Sequence, residues 1–226
     1  EMLVAVISSE ANLAQLDRYK DIARKLARVR GVSDEEARDL AAQGKAIVWI
    51  DNGLHASEVA TAQHSLLLAW RVATDESAEM RAIRDNVILV LLPTINPDGL
   101  DMVVDWYRRN LGTPSQDSPM PWLYQKYVGH DNNRDSYMLN VIESRVIQRT
   151  WREWEPTIIY VQHQSSPFPT RIWLPPFADP VGLRVPPIMA REVNAIGTRI
   201  AEELDAQGKP GAVSQLETYD AWYPGY

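Results

Sequence analysis

His55 and Glu58 form the pair of side chains whose types and spacing could hold a metal ion. They stand three positions apart where a helical pattern opens near Ser57, so the imidazole and the carboxylate can turn toward one point. A catalytic zinc ion commonly takes two histidines and one glutamate and keeps a fourth position for water. His163, directly after the apolar run 157–162, is the best candidate for the third ligand.

The amino-acid composition restricts the possible metal ligands and binding partners. The 226-residue chain has no cysteine, which excludes disulfides and thiolate metal sites and leaves His, Asp and Glu as ligands. Its 23 basic residues are scattered and its net charge is -7, so a nucleic-acid partner is not expected. The apolar runs 46–50 and 86–92 are far shorter than the roughly 20 residues that cross a bilayer, so no membrane span is predicted. Residues 1–9 show no signal-peptide pattern.

Three short apolar runs each lead directly into a polar cluster. The run 46–51 (AIVWID) precedes His55, the run 86–92 (NVILVLL) precedes 96–99, and the run 157–162 (TIIYVQ) precedes His163. Continuous hydrophobicity indicates strands covered on both faces, and helical patterns separate the runs. We therefore predict a three-layer α/β/α sandwich with a mixed, largely parallel central sheet, whose strand ends bring the polar clusters together.

Periodic apolar positions and capping signals predict the helices. They are expected over 10–29, 34–43, 57–72 and 186–207, while the proline-rich segment 111–121 is expected to be a loop. Residues 1–44 are predicted to form a helical lead-in. Because the chain shows no internal repeat and no shift of composition, a single domain over 1–226 is expected.

Segments in a fixed order resemble the zinc metallocarboxypeptidases of the carboxypeptidase A type. NGLHASE resembles their zinc-binding segment, INPDG their Asn-Pro-Asp-Gly turn, and WYRRN the segment that carries a carbonyl-polarising arginine. DNNRD resembles their Asn-Arg pair, VQHQS the segment with the second zinc histidine, and RIWLPPF the strand that follows. The resemblance covers about residues 45 to 226, and several concordant segments make coincidence improbable.

The resemblance implies a role for each matching residue. One zinc ion would be held by His55, Glu58 and His163. Arg108, or Arg109 if the register shifts by one, would polarise the scissile carbonyl. Asn133 and Arg134 would bind the terminal carboxylate of a peptide or protein substrate, and Tyr219, with Tyr223 as the weaker candidate, would cover it. The implied activity is zinc-dependent hydrolysis of C-terminal peptide bonds, and the implied location is extracellular or periplasmic.

Two departures from the family pattern are visible. Ser165 stands where digestive members carry a tyrosine, so the substrate subsites are expected to differ. The family's general-base glutamate lies well beyond its covering tyrosine, whereas Glu217 precedes Tyr219. From these 226 residues we expect a domain that is incomplete at its C-terminal end and lacks the general base.

Other interpretations remain open. A deacylase of the aspartoacylase and succinylglutamate desuccinylase type shares such a zinc site, and a non-catalytic zinc- and carboxylate-binding module would keep the pocket without the base. Glu58 could simply favour a helix start through the macrodipole, and His163 could be a buried structural histidine. His64 is predicted to be structural, and His130 to be a loop histidine that could hydrogen-bond near the site.

Overall fold

The computed structural model describes residues 1–28, 30–164, 171–177 and 185–215. The chain divides into two compact units, Glu1–Gln164 and Ser165–Tyr226. Whether the two units form the single predicted domain stays a prediction. Within the described ranges, no helix has both the length and the apolar character that a membrane span requires.

A four-stranded sheet forms the centre of the first unit. Its strands are β1 (Ala5–Ile7), β2 (Ala46–Asp51), β3 (Val87–Leu92) and β4 (Ile158–Val161), arranged in the order β1-β3-β2-β4. Strand β2 runs parallel to both β3 and β4, whereas β1 is antiparallel to β3. The sheet is therefore mixed and largely parallel, which confirms the predicted α/β class.

Helices alternate with these strands along the chain. The predicted helix over 10–29 is divided in two, because the side-chain amide of Asn12 is buried against the Arg84 and Asp85 carbonyls at 3.0 and 3.1 Å. The lead-in also contains β1, whose three residues are too few to show a period. The helices are α1 (Glu10–Leu13), α2 (Leu16–Arg28), α3 (Asp34–Gln43), α4 (Val59–Thr74), α5 (Ala78–Asn86), α6 (Pro97–Asn110) and α7 (Ile142–Trp154).

Both faces of the sheet are covered, which explains the continuous apolar runs. Successive residues of a strand point to opposite faces, so β2 and β3 supply two separate cores. Ile88 and Val90 pack with residues of α2 and α7, whereas Leu89 and Leu91 pack with residues of α4 and α5. Trp49, which is fully buried, lies in the first core. The first unit thus has a layer of helices on each side of the sheet.

The second unit is smaller. It contains β5 (Ile172–Trp173), which pairs in parallel with β6 (Ala212–Val213), and the long helix α8 (Pro187–Ala206). The strand predicted from RIWLPPF is thus present as a two-residue strand, and α8 agrees with the predicted helix over 186–207.

Candidate metal centre

A tight turn after β2 positions His55, the first histidine of the site. Gly53 adopts a positive φ of 63°, and a Cβ at this position would lie 2.7 Å from Thr94 Oγ1, so the turn requires glycine. The Leu54 carbonyl then accepts hydrogen bonds from the side-chain amides of Asn132 at 2.8 Å and Asn96 at 3.3 Å. Two separate segments therefore fix the main chain immediately before His55.

His55, Glu58 and His163 converge on one point. Nδ1 of His55 lies 2.8 Å from Glu58 Oε1, and Nδ1 of His163 lies 3.2 Å from Glu58 Oε2. The three potential ligand atoms all lie within 4.8 Å of one another. Ligands bonded at about 2.0–2.2 Å to a tetrahedral zinc ion are separated by roughly 3.4 Å. The two contacts at 2.8 and 3.2 Å would therefore lengthen slightly around zinc, and the widest separation, within 4.8 Å, would shorten. The structure thus brings together the three predicted ligands.

Glu58 occupies the residue before the first turn of α4, but its carboxylate does not cap the helix. Oε2 accepts a hydrogen bond from the Gln164 main-chain N–H at 2.6 Å, and the Gln164 side chain accepts from the Ala60 N–H of α4 at 3.0 Å. Burial alone would raise the pKa of Glu58, but the hydrogen bonds with His163, His55 and Gln164 lower it to about 2. Glu58 is therefore ionised and remains a candidate ligand, and the helix-start interpretation does not describe its contacts.

The outer nitrogen of His55 is held by a second carboxylate. Nε2 lies 3.0 Å from Asp131 Oδ1, and the same oxygen accepts the Asn133 main-chain N–H at 2.8 Å. Burial would lower the pKa of His55, but the Glu58 hydrogen bond and the Asp131 charge outweigh it and raise the pKa. In the metal-free site the Nδ1–H of His55 donates to the ionised Glu58 carboxylate. A proton kept on Nε2 by Asp131 would leave the Nδ1 lone pair for a metal ion, as in other metal-binding histidines.

Asp51 is a buried carboxyl at the end of β2. Only 1% of the residue is exposed, and its Oδ2 accepts the Trp49 indole N–H at 2.7 Å. Its Oδ1 has no hydrogen-bond partner in the described parts of the chain. Burial raises the pKa of Asp51 to about 6, against the lowering effects of Trp49 and of the His163 charge. The Asp51 carboxyl, buried at the end of β2, therefore interacts electrostatically with the imidazole of His163.

Tyr124 is an aromatic neighbour of the cluster. Its ring centroid lies 5.6 Å from that of His55 at an interplanar angle of 57°. Its carbonyl accepts the Asn96 side-chain N–H at 3.0 Å, and a Cβ on Gly99 would come within 2.2 Å of that carbonyl, so the Asn-Pro-Asp-Gly turn packs directly against it. Burial, together with the Asp131 and Glu58 charges, raises the pKa of Tyr124 to about 12, opposed by Arg134.

The predicted carboxylate-binding pair lies beside Asp131. Asn133 and Arg134 belong to a short 3-10 helix, Asn132–Arg134, and Arg134 is exposed, with Nη1 donating to the Asn133 carbonyl at 3.1 Å. The fully buried Asp135 accepts the main-chain N–H groups of Asn140 and Val141, which anchors this segment at the start of α7. Asp131 therefore places Asn133 and Arg134, the pair predicted to bind the substrate carboxylate, next to the candidate metal ligands.

The remaining predicted residues are not brought into the cluster. Arg108 is exposed in the last turn of α6, about 16 Å along the helix axis from Pro97. Across the described ranges, no hydrogen bond or ion pair joins Arg108 or Arg109 to the cluster, so the role of Arg108 stays a prediction. His64 bonds to the Ala60 carbonyl of its own helix at 3.1 Å, as a structural residue would. Residues outside the described ranges are Ser165, Glu217, Tyr219 and Tyr223.

Sequence reasoning missed the roles of Asp131, Gln164 and Tyr124. Asp131 stands two residues before Asn133 in DNNRD, and His130, beside it, bonds through Nδ1 to the Asp131 carbonyl at 3.0 Å. An acidic residue near a predicted metal histidine is a recognisable signal, because such histidines need a partner for their second nitrogen. Tyr124 gives no comparable signal, since it follows a long loop and only the fold places it beside His55.

Comparisons with known proteins agree with this fold. The sequence profile of the family described as zinc carboxypeptidase matches residues 1–156, a range that includes His55, Glu58 and Arg134 but ends before His163. The crystal structure of the carboxypeptidase A from Helicoverpa armigera is similar, with a TM-score of 0.51 at 15% identity over 90% of this chain. The chain spans 64% of the length of that protein. The search of curated proteins gave no significant match.

Proposed function

The chain belongs to the zinc carboxypeptidase family, and from this premise we propose that it is a zinc-dependent metallocarboxypeptidase that hydrolyses the C-terminal bond of a peptide or protein substrate. One observation carries the proposal: one ligand atom each from His55, Glu58 and His163 lies within 4.8 Å of the other two. Two imidazoles and one carboxylate are the ligand set of a catalytic zinc ion that keeps an open position.

The protein's own residues prepare these ligands for an ion. Asp131 holds the outer nitrogen of His55, and the Gln164 main chain holds Glu58. Both side chains are therefore oriented for metal binding before an ion binds. A zinc ion at this site would supply a Lewis acid that polarises a carbonyl and lowers the pKa of a bound water. The low pKa of Glu58 keeps its carboxylate ionised at neutral pH.

Recognition of a chain end requires a cation near the metal ligands. Arg134 offers a guanidinium that can bind a carboxylate through two parallel hydrogen bonds, and Asn133 offers an amide beside it. The link through Asp131 supports this assignment, because one oxygen of Asp131 bonds both to His55 and to the main chain of Asn133. We assign substrate-carboxylate binding to this pair, and carbonyl polarisation to Arg108 on the family resemblance.

The reaction also needs a carboxylate that accepts a proton from the attacking water. Of the carboxylates that contact the cluster in the described ranges, Glu58 faces the histidines and Asp131 accepts two hydrogen bonds. Asp51 is sealed in the core with 1% exposure and cannot reach a substrate. We therefore assign the general base to none of the described carboxylates, in keeping with the expectation that these 226 residues lack it, and we propose that Tyr219, outside the described ranges, covers the substrate.

Release of the C-terminal amino acid from N-blocked peptides tests the proposal. Zinc-loaded protein should release the last residue of free-acid peptides, lose this activity with a chelator, and leave amidated peptides intact. His163→Ala should abolish the release, whereas the matched variant His64→Ala, on the exposed face of α4, should not change it. Hydrolysis of N-acetyl or N-succinyl amino acids without peptide cleavage would favour a deacylase. Peptide binding without turnover would favour a non-catalytic module.

A further inference from the structure

The first turn of α4 is capped by a residue that is distant in the sequence. The first N–H groups of a helix have no acceptor within it, and the side chain just before the helix usually accepts one of them. Helices α3, α5 and α6 follow this rule, because Ser33, Ser77 and Asn96 each accept the main-chain N–H three residues later. In α4 the Ala60 N–H instead donates to the side-chain oxygen of Gln164 at 3.0 Å, 104 positions along the chain.

Glu58 is the residue that stands in the capping position of α4. Its side chain makes no capping hydrogen bond within the part of the chain that the structure describes. Its two carboxylate oxygens instead face His55 at 2.8 Å and His163 at 3.2 Å. A carboxylate at this position is attracted to the positive end of the helix and to its free N–H groups. Because Gln164 already accepts the Ala60 N–H, this competing contact is blocked and the carboxylate stays with the histidines.

Gln164 also holds the Glu58 carboxylate directly. Its main-chain N–H donates to Glu58 Oε2 at 2.6 Å, while its side chain accepts from the start of α4. Both residues lie in the first compact unit. The two hydrogen bonds attach the residue that follows His163 to the start of α4, the helix that Glu58 precedes. The two segments that supply Glu58 and His163 are therefore joined by one residue.

We propose that Gln164 is a positioning residue of the metal centre, whose side-chain amide caps α4 in place of Glu58 and thereby keeps the Glu58 carboxylate directed toward His55 and His163. This inference rests on the proposed function, because it takes these three residues as the zinc ligands. Gln164 acts on the ion only through Glu58. Its side chain has no part in substrate recognition.

Two substitutions of Gln164 separate the capping oxygen from the rest of the side chain. Gln164→Met keeps the length of the side chain but removes the acceptor, whereas Gln164→Glu keeps an acceptor oxygen for the Ala60 N–H. Gln63→Met, at an exposed position of α4, is the matched control. Zinc affinity is measured by competition with a chromophoric chelator, and thermal melting and a crystal structure are obtained for each metal-free protein.

Gln164→Met should weaken zinc binding by roughly tenfold, the lower end of the range for outer partners of metal ligands, because Gln164 is exposed to solvent. In its crystal structure the Glu58 carboxylate should turn from His163 to the Ala60 N–H. Gln164→Glu and Gln63→Met should bind zinc as tightly as wild type and keep Glu58 on the histidines.

Wild-type zinc affinity in Gln164→Met would overturn the proposal, as would an equal loss in Gln164→Glu. A lower melting temperature of Gln164→Met with Glu58 still on both histidines would assign Gln164 a merely structural role and also overturn it. Absence of zinc binding in wild type would count against the proposed function instead. The orientation of Glu58 in the metal-free Gln164→Met structure would then still decide whether Gln164 positions it.

Discussion

Nε2 of His55 and Oδ1 of Asp131 lie 3.0 Å apart, and the same oxygen accepts the Asn133 main-chain N–H at 2.8 Å. One carboxylate oxygen therefore joins a candidate metal ligand to the segment that carries the predicted carboxylate-binding pair. This arrangement fixes the separation between the two parts of the site through the protein itself. A change at Asp131 is thus expected to affect both metal affinity and substrate placement.

Asp131→Asn should weaken zinc binding by about tenfold to a hundredfold, because outer partners of metal-binding histidines typically contribute that much. The amide keeps the shape of the side chain but removes the charge that orients His55. Competition with a chromophoric chelator measures the affinity, and Asp101→Asn on the exposed face of α6 serves as the control. An unchanged zinc affinity in Asp131→Asn would show that this contact is incidental.

Zinc affinity should fall as the pH is lowered, starting above the ordinary histidine pKa of 6.5. Burial lowers the pKa of His55, but Glu58 and Asp131 raise it by more, so the net pKa is raised. The metal-free site therefore binds a proton that zinc must displace. The affinity should drop by about tenfold per pH unit for each displaced proton. Asp131→Asn should move the onset to lower pH. A constant affinity between pH 8 and pH 6 would contradict this account.

Asp51 should make the metal-free fold less stable as the pH rises from about 4 to 6. Burial raises its pKa from 3.8 to about 6, so the folded state holds a proton that the unfolded chain has released, and that advantage disappears as the pH passes 6. The loss is on the order of 3 kcal/mol. Asp51→Asn should flatten this dependence in denaturant titrations, whereas Asp105→Asn, an exposed control on α6, should retain it. Parallel curves for wild type and Asp51→Asn would rule the effect out.

Arg134→Gln should weaken free-acid peptides by roughly tenfold to a hundredfold while sparing their amides, because the guanidinium supplies charge-assisted hydrogen bonds to the terminal carboxylate. Dissociation constants for matched acid and amide peptides measure the difference. Arg149→Gln on the exposed face of α7 is the control for lost positive charge. Equal losses for both peptides would assign Arg134 a structural role.

The sequence predicted the strands and the metal cluster for a physical reason. Strands β2 and β3 are covered on both faces, so their apolar runs are continuous and end at the point where polar residues begin. The expectation of two covered faces is wrong for the edge strand β4, where Ile159 is 45% exposed among the described residues. The strand ends of a parallel sheet lie along one edge, which is why His55 and His163 could be paired although 108 positions separate them in the sequence.

Features that depend on tertiary contacts were not predictable in the same way. The three residues of β1 carry no period and form a strand only by pairing with β3. The break between α1 and α2 follows from the hydrogen bonds that Asn12 makes to the end of α5. Tyr124 reaches His55 because Asn96 and Gly99 hold its main chain, a contact between segments that no local pattern records.

The zinc content of single-site variants tests the central claim most directly. His163 is the decisive ligand, because it lies outside the range matched by the family profile and its assignment depends on the observed convergence with Glu58 at 3.2 Å. After zinc loading and desalting, native mass spectrometry should show one zinc ion in wild type and in His64→Ala, and none in His55→Ala, Glu58→Ala or His163→Ala. Stoichiometric zinc in His163→Ala, together with its loss from His64→Ala, would contradict the assigned site.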